Sequence, residues 1–372
     1  MNNSELIWKA LNKNNVDKVA YLPCNKLNNL MKQCPDNIKI MDITRESTGL
    51  GLCFGRSLAG KRSAMFIQNT GLGNLVTELY TLQKLYQETL PIFVSWRGYY
   101  KEPIEAQVIF GEKVEALLNA IDVEYKILKK SEDLKDIEAD LKVCFDQKKV
   151  KVYLMSPELW ETSSANYHVF GQPKLNSINV NTDDYIDTPS LTRYGAIESA
   201  MQVIADDEIV IAQIGFPSRE LYKIKDRDTN FYLLGALGSA TEVAIGMAQE
   251  MPNKHIYVMD GDGSFFFNPN QLFDLAKYSL TNISVICLDN GSWGSTGNQP
   301  TLSSNGCNIS AIIRSLGLES TGLTDNVRQF QNMLNDKINF IHFLIKAGNN
   351  PEAKEIPDSA IEIKRRFMQH TK

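Results

Sequence analysis

Two places in the 372-residue chain carry acids where chemistry is plausible. In Val258–Thr301 a β-rich run ends in Gly261-Asp262-Gly263 and a helical stretch follows. The next β-rich run, Ile283–Leu288, then delivers Asp289-Asn290 at its C-terminal end. Successive strands of a parallel sheet present these ends on one edge, so Asp262 and Asn290 are expected side by side. The glycines let backbone approach a diphosphate, and Ser264 is expected to open a helix whose free N–H groups favour an anion. One carboxylate, one amide oxygen and a backbone carbonyl, completed by diphosphate oxygens, form a shell suited to Mg²⁺. Taken alone, Gly-Asp-Gly reads equally well as a turn. The second place is Glu46, which follows the run Ile38–Ile43; by itself it reads as a solvated acid at a helix start.

Histidine usage narrows the chemistry further. The four are His168, His255, His342 and His370, and none is expected in the first domain or beside the candidate loops. An imidazole base or a histidine metal cluster is therefore not expected, and the hard chemistry falls to a cofactor. His255, Trp293 and the Phe265–Phe267 run read as structural or wall residues.

The elements that must position these residues alternate. Runs at Val19–Leu22, Ile38–Ile43, Ser63–Gln68, Ile92–Ser95 and Val150–Met155 are separated by helical stretches such as Gly73–Tyr86 and Val114–Asp122. The pattern restarts with a helix at Thr192–Ala205 and runs at Ile209–Ile214, His255–Asp260, Ile283–Leu288 and Phe340–Ile345. This predicts an α/β protein of two doubly wound parallel-sheet domains, 1–165 and 190–372, joined by a Ser/Asn/Asp-rich linker at 166–189.

Composition excludes other classes. An apolar share of 43%, 22% charged residues and a formal charge of −5 are those of a globular protein without a nucleic-acid or membrane-surface role. No apolar run is long enough to span a membrane, and the N-terminal stretch lacks a signal-peptide core. Six scattered cysteines give neither a zinc site nor a disulfide framework, and a reducing cytoplasm is expected. A dinucleotide-binding alternative needs G-x-G-x-x-G; Gly49-Leu50-Gly51-Leu52-Cys53-Phe54-Gly55 has one residue too many, and Gly71-Leu72-Gly73 lacks the third glycine.

The Gly-Asp-Gly…Asn spacing, with residues 264 to 289 between Gly263 and Asn290, resembles the thiamine-diphosphate motif. Almost the whole chain resembles the sulfopyruvate decarboxylase family with its alpha and beta subunits fused. The alpha-like segments are Tyr21–Cys24, Thr44–Glu46, Gln68–Asn74, Trp96–Gly98 and Gln107–Gly111; the beta-like ones are Ile214–Tyr222, Leu234–Gly238 and Gly294–Thr301. The resemblance implies thiamine diphosphate and Mg²⁺ as cofactors. It makes Glu46 the carboxylate that drives the cofactor's aminopyrimidine toward its imino form. Asp262, Asn290 and the Ser292 carbonyl become the metal ligands, although Asp289 stands where the family usually has Asn. Gly215, Pro217 and Ser218 would cradle the diphosphate, and Leu237, beside Gly235, would be the apolar wedge beneath the thiazolium.

For the substrate, a 2-oxo acid, the resemblance points to Cys24, Arg45, Asn69, Arg97 and Gln107, with the two arginines meeting its anions. Phosphonopyruvate decarboxylase is the nearest competitor, and the Lys101-Glu102-Pro103 stretch resembles it. That enzyme typically has Pro-Asp at Pro23-Cys24 and a histidine at Gln107, and a neutral amide suits a singly charged sulfonate better than a cationic histidine does. The implied reaction yields sulfoacetaldehyde and CO₂, on a route to coenzyme M. A homodimer or homotetramer with sites between chains is also implied. A non-catalytic nucleotide- or thiamine-binding protein is the alternative from another class, which the presence of both Glu46 and Asp262 disfavours.

Overall fold

The computed structural model describes residues 2–160, 189–295 and 298–371. His168, Thr296, Gly297 and the linker stretch up to residue 188 lie outside them. The chain divides into two compact units, each built round one six-stranded parallel sheet.

In the first unit the strands are β1 (Val16–Tyr21), β2 (Lys39–Asp42), β3 (Arg62–Gln68), β4 (Leu90–Ser95), β5 (Glu124–Leu128) and β6 (Val150–Met155), in the order β2-β1-β3-β4-β6-β5. All six residues of β4 are buried, because helices cover both faces of a parallel sheet and its central strands become continuous apolar runs. Four rings cross this unit in series. Trp8, Phe66, Phe93 and Tyr153 have neighbouring centroids 5.3, 4.8 and 4.8 Å apart, which ties an N-terminal helix to three strands. Strands β1 to β4 all end on one edge, and Cys24, Glu46, Asn69 and Arg97 follow those four ends in turn.

The second unit contains β7 (Ile209–Ala212), β8 (Asn230–Tyr232), β9 (Ile256–Gly261), β10 (Ile283–Asp289), the two-residue antiparallel pair β11 (Ser292–Trp293) and β12 (Gln299–Pro300), β13 (Thr321–Thr324) and β14 (Phe340–Leu344). Its sheet order is β13-β14-β10-β9-β7-β8. The chain leaves β7 for β8 on one side and returns for β9 on the other, so a crevice opens at the C-terminal ends of β7 and β9. Gly215 to Pro217 and Gly261 to Ser264 lie at that crevice edge.

Three strands of the two large sheets, β5, β8 and β13, are absent from the sequence-based expectation. Two are half-exposed edge strands and the third, also an edge, is three residues long, so none forms an apolar run. The helix expected over Gly73–Tyr86 is instead wound in three ways: a 3₁₀ stretch at Asn69–Leu75, an α turn at Val76–Glu78 and a π stretch at Leu79–Lys84. Such changes of winding mark places where a segment is held by something other than its own propensity. The Gly49–Gly55 run lies inside a helix, Glu46–Leu58, which removes it as a dinucleotide loop. No helix among the described residues is long and apolar enough to cross a membrane.

Candidate active site

Strand β9 and the helix after it place the Gly-Asp-Gly loop. The helix spans Asp262–Phe267, so it starts two residues earlier than Ser264, with Gly261 as its cap. Asp262 is 2% exposed and accepts a hydrogen bond from Thr301 Oγ1 at 2.5 Å. Burial, helped by the nearby Asp289 charge, pushes its carboxyl up to about 7. Asp260, on the strand before it, is also pushed up to about 7 by burial, although the Gly261 N–H and Ser264 hydroxyl donate to it at 2.8 Å each. Trp293 packs over Gly263: a β-carbon there would stand 2.7 Å from the indole ring, so only glycine admits this contact.

From β10 comes the facing loop. Asn290 Oδ1 accepts from the Ser292 N–H at 3.0 Å, and the Ser292 carbonyl accepts from Gly294 N–H at 3.0 Å. The Ser292 hydroxyl is buried without a hydrogen-bond partner. A cleft of about 340 Å³ is lined by Gly215, Pro217, Leu237, Asp262, Gly263, Ser264, Asn290 and Ser292, among others. Gly215 takes φ +93° and opens a nine-residue helix, Phe216–Ile224, at the cleft wall. Leu237 stands between Ala236 and Gly238, at φ 55° and 80°; this tight left-handed stretch is what turns a leucine out of the sheet edge and onto the cleft.

Three expectations in this unit are corrected. Ser218 does not reach the cleft, since its hydroxyl donates inward toward the Ala212 and Gln213 carbonyls at 3.0 and 2.9 Å and it is 1% exposed. It caps the end of β7. Gly235 is buried next to this turn and is not among the residues lining the cleft. A histidine does lie beside the loops: His342 Nε2 is 2.8 Å from Asp289 Oδ2, and Ser310 N–H donates to its Nδ1 at 3.4 Å. Burial raises the Asp289 carboxyl, but the His342 bond and charge outweigh it and hold it below the ordinary range. Asp289 is thus engaged by His342 and by the Gly291 N–H, which leaves Asn290 as the member of the pair on the cleft. The signal for His342 was the register of β10 and β14, which pairs Cys287 with His342, and single-sequence reading does not supply it.

In the first unit Glu46 is the first residue of its helix and only 4% exposed, so the solvated reading of this acid does not hold. Asn74 Nδ2 donates to its Oε2 at 2.9 Å. Gly71 makes room for the carboxylate: a β-carbon there would fall 2.2 Å from Oε1. The irregular winding of Asn69–Lys84 is what brings Gly71 and Asn74 to this one side chain.

The substrate candidates divide. Asn69 is fully buried, and its amide exchanges two 3.0 Å hydrogen bonds with the backbone of Arg97, so it fixes the segment after β4. Arg97 is held by a two-point ion pair with Glu102, one contact at 2.7 Å, which keeps the Glu102 carboxyl below its usual range. It is therefore a charge-compensated arginine. Gln107 presents a buried Oε1 with no hydrogen-bond partner, Cys24 is 5% exposed, and Arg45 is exposed. Glu102 and Asn74 lay in segments noted for their resemblance, but no role for either was legible in the sequence.

Among the described residues no group of three or more His, Cys, Asp and Glu could hold a metal. One carboxylate (Asp262), one amide (Asn290) and the Ser292 oxygens form a hard but incomplete oxygen set, which fits Mg²⁺ only if a ligand supplies the remaining oxygens. Burial and the Asp289 charge raise the Asp262 carboxyl, and a cation bound there would favour its ionised form. The donor set and the cleft fit a magnesium diphosphate.

Residues 213–342 match the family described as thiamine pyrophosphate enzyme, C-terminal TPP binding domain. The crystal structure of benzoylformate decarboxylase from Polynucleobacter necessarius superposes with a TM-score of 0.73 at 12% identity, covering 94% of this chain and 100% of that one, a likeness of fold. Paired parallel sheets with these loops are those of a thiamine-diphosphate-dependent enzyme. Sulfopyruvate decarboxylase of Methanosarcina acetivorans is 34% identical over 382 residues, 99% of this chain and 97% of that protein. Phosphonopyruvate decarboxylase of Streptomyces viridochromogenes is 27% identical over 95% of this chain and 90% of its own. The chain belongs to the sulfopyruvate decarboxylase family of carboxy-lyases, in the form that joins the alpha and beta subunits in one polypeptide.

Proposed function

We propose that this enzyme decarboxylates 3-sulfopyruvate to sulfoacetaldehyde and CO₂, on a route to coenzyme M in the cytoplasm. The observation that carries the reaction type is a buried Glu46, clamped by Asn74, in a chain that also holds Asp262 opposite Asn290. The choice of substrate rests on the higher identity to the sulfopyruvate enzyme and on neutral Gln107, whose backbone packs against Gly98, the residue after an arginine already compensated by Glu102. Such a charge set suits a sulfonate with one negative charge better than a phosphonate with two.

When bound, thiamine diphosphate supplies the nucleophilic carbon and the electron sink that a 2-oxo acid needs in order to lose CO₂. Asp262, Asn290 and the Ser292 carbonyl would hold the Mg²⁺ and through it the diphosphate. Gly215 and Pro217 would bring backbone to the same anion, and Leu237 would press on the cofactor from below. Glu46 would hold a proton at the aminopyrimidine, with Asn74 fixing the oxygen that it bonds. Gln107 and Arg97 would face the substrate's far end. A comparison of CO₂ release from sulfopyruvate, phosphonopyruvate and pyruvate tests the reading, which fails if phosphonopyruvate has the higher kcat/KM.

Assembly as a homodimer or homotetramer, with each site completed by two chains, is part of the same reading and rests on the family resemblance. Co-expression of Glu46→Gln with Asp262→Ala should return about a quarter of wild-type activity, since roughly half of randomly paired dimers are mixed and each has one intact site. Heterodimers that form without activity would mean that each chain builds its own site.

A further inference from the structure

Arg193 and Asn349 lie on either side of the matched segment 213–342, outside it, yet both reach its cleft loops. Arg193 opens the helix Arg193–Met201 and is 6% exposed. Its Nε donates to Glu220 Oε2 at 3.0 Å, and its Nη2 donates to Glu220 Oε1 at 3.4 Å and to Asn349 Oδ1 at 2.6 Å. The guanidinium carbon sits 5.2 Å from the centroid of Phe216, the residue after Gly215 at the cleft wall. Glu220 is fully buried and also accepts from Asn350 N–H at 2.9 Å. A buried ion pair of this kind is weak evidence for stability, because desolvating both partners offsets most of their attraction.

The third nitrogen points elsewhere. Arg193 lines the cleft, and its Nη1 stands 3.6 Å from the point where a β-carbon of Gly294 would be. Asn290 Nδ2 stands 3.6 Å from the same point, so the guanidinium and the proposed metal-loop amide are at most twice that distance apart. Asn349 completes the link, because its Nδ2 donates to the Gly294 carbonyl at 2.7 Å while its Oδ1 accepts from Arg193. One amide therefore fixes both the arginine and the loop that carries Asn290 and Ser292.

We propose that Arg193 is an anion anchor for the cofactor's diphosphate and that Asn349 is its positioning residue. The inference rests on the thiamine-diphosphate reading. Glu220 and Asn349 hold two nitrogens from behind and turn the third toward the anion, beside the N-terminus of the Phe216–Ile224 helix, whose dipole favours negative charge.

The test is calorimetric titration of the full-length protein, at saturating Mg²⁺, with thiamine diphosphate and with thiamine monophosphate. Wild type should bind the diphosphate more tightly than the monophosphate. Arg193→Gln should weaken diphosphate binding roughly tenfold to a hundredfold, the range for a charge-assisted bond, and should narrow the ratio between the two ligands. Arg193→Lys should restore part of that ratio, and Asn349→Ala should narrow it by a smaller factor. Circular dichroism checks that each variant is folded, and Arg193→Lys stands in if the glutamine variant is not. An unchanged ratio in a folded variant that still binds thiamine diphosphate overturns the anchor role. No thiamine diphosphate binding by wild type would instead overturn the cofactor reading itself.

Discussion

In the first unit, charge near the proposed site is compensated: Arg97 meets Glu102 in a two-point pair, and Glu46 is held by a neutral amide. The second unit is different. Asp260 and Asp262 are both pushed up to about 7 by burial, and Glu242, buried beside Asp274, is raised well above its ordinary value. In the first unit the ionised groups named here have partners, whereas in the second these carboxylates are raised chiefly by burial. The difference separates two kinds of response. A divalent ion arriving at Asp262 must displace the proton that burial favours there, so ligand binding in the second unit should depend on pH, whereas the first unit should answer to changes in the reacting groups.

Breaking the first unit's role should have the largest effect. Glu46→Gln should lower kcat by about a thousandfold or more, in the upper range for loss of an acid–base group, while calorimetry finds thiamine diphosphate affinity within about threefold of wild type. Near-normal turnover would remove Glu46 from the chemistry.

Next in size, Asp262→Ala should weaken Mg²⁺ and thiamine diphosphate together, by roughly a thousandfold, as loss of one partner from a buried charge pair does. The cofactor-free variant should melt no lower than wild type, since the change also removes a carboxylate repelled by Asp289. A cofactor-free variant that melts well below wild type would contradict the idea of stored repulsion.

Acid should act on the second unit through His255. Burial, with the Lys337 charge adding to it, holds this imidazole down to about 4 from an ordinary 6.5, and its Nε2 lies 2.9 Å from the Ser284 hydroxyl. The unfolded chain therefore takes up a proton that the folded one refuses. Stability from this group is whole above pH 6.5 and falls as pH drops toward 4, by as much as about 3 kcal/mol. His255→Gln should flatten that part of the denaturation profile, followed by urea unfolding at several pH values. The smallest effect expected is that of Asn74→Ala, which removes one bond to a carboxylate and should cost about tenfold in kcat with no change in cofactor affinity.

Much of this was legible in the sequence, for physical reasons that differ by element. Central strands such as β4 and β10 show as apolar runs because both faces are covered, whereas β5 and β13 at the sheet edges do not. Asp262 and Asn290 could be placed together because parallel strands end on a common edge. Contacts that depend on register or on a bent segment could not be read: His342 with Asp289, Asn69 with the Arg97 backbone, and Ser218 with the end of β7. Glu102 stood in the sequence within the Lys101-Glu102-Pro103 stretch that resembles the phosphonopyruvate enzyme, and its pairing with Arg97 appears only when the chain folds back.

The indole of Trp293 against Gly263 makes the cleft its own optical probe. The other three tryptophans, Trp8, Trp96 and Trp160, are buried in the first unit. Replacing those three with phenylalanine would leave a single tryptophan, packed over the Gly-Asp-Gly loop. Its quantum yield would then report arrival of the metal and diphosphate in real time, without any added dye.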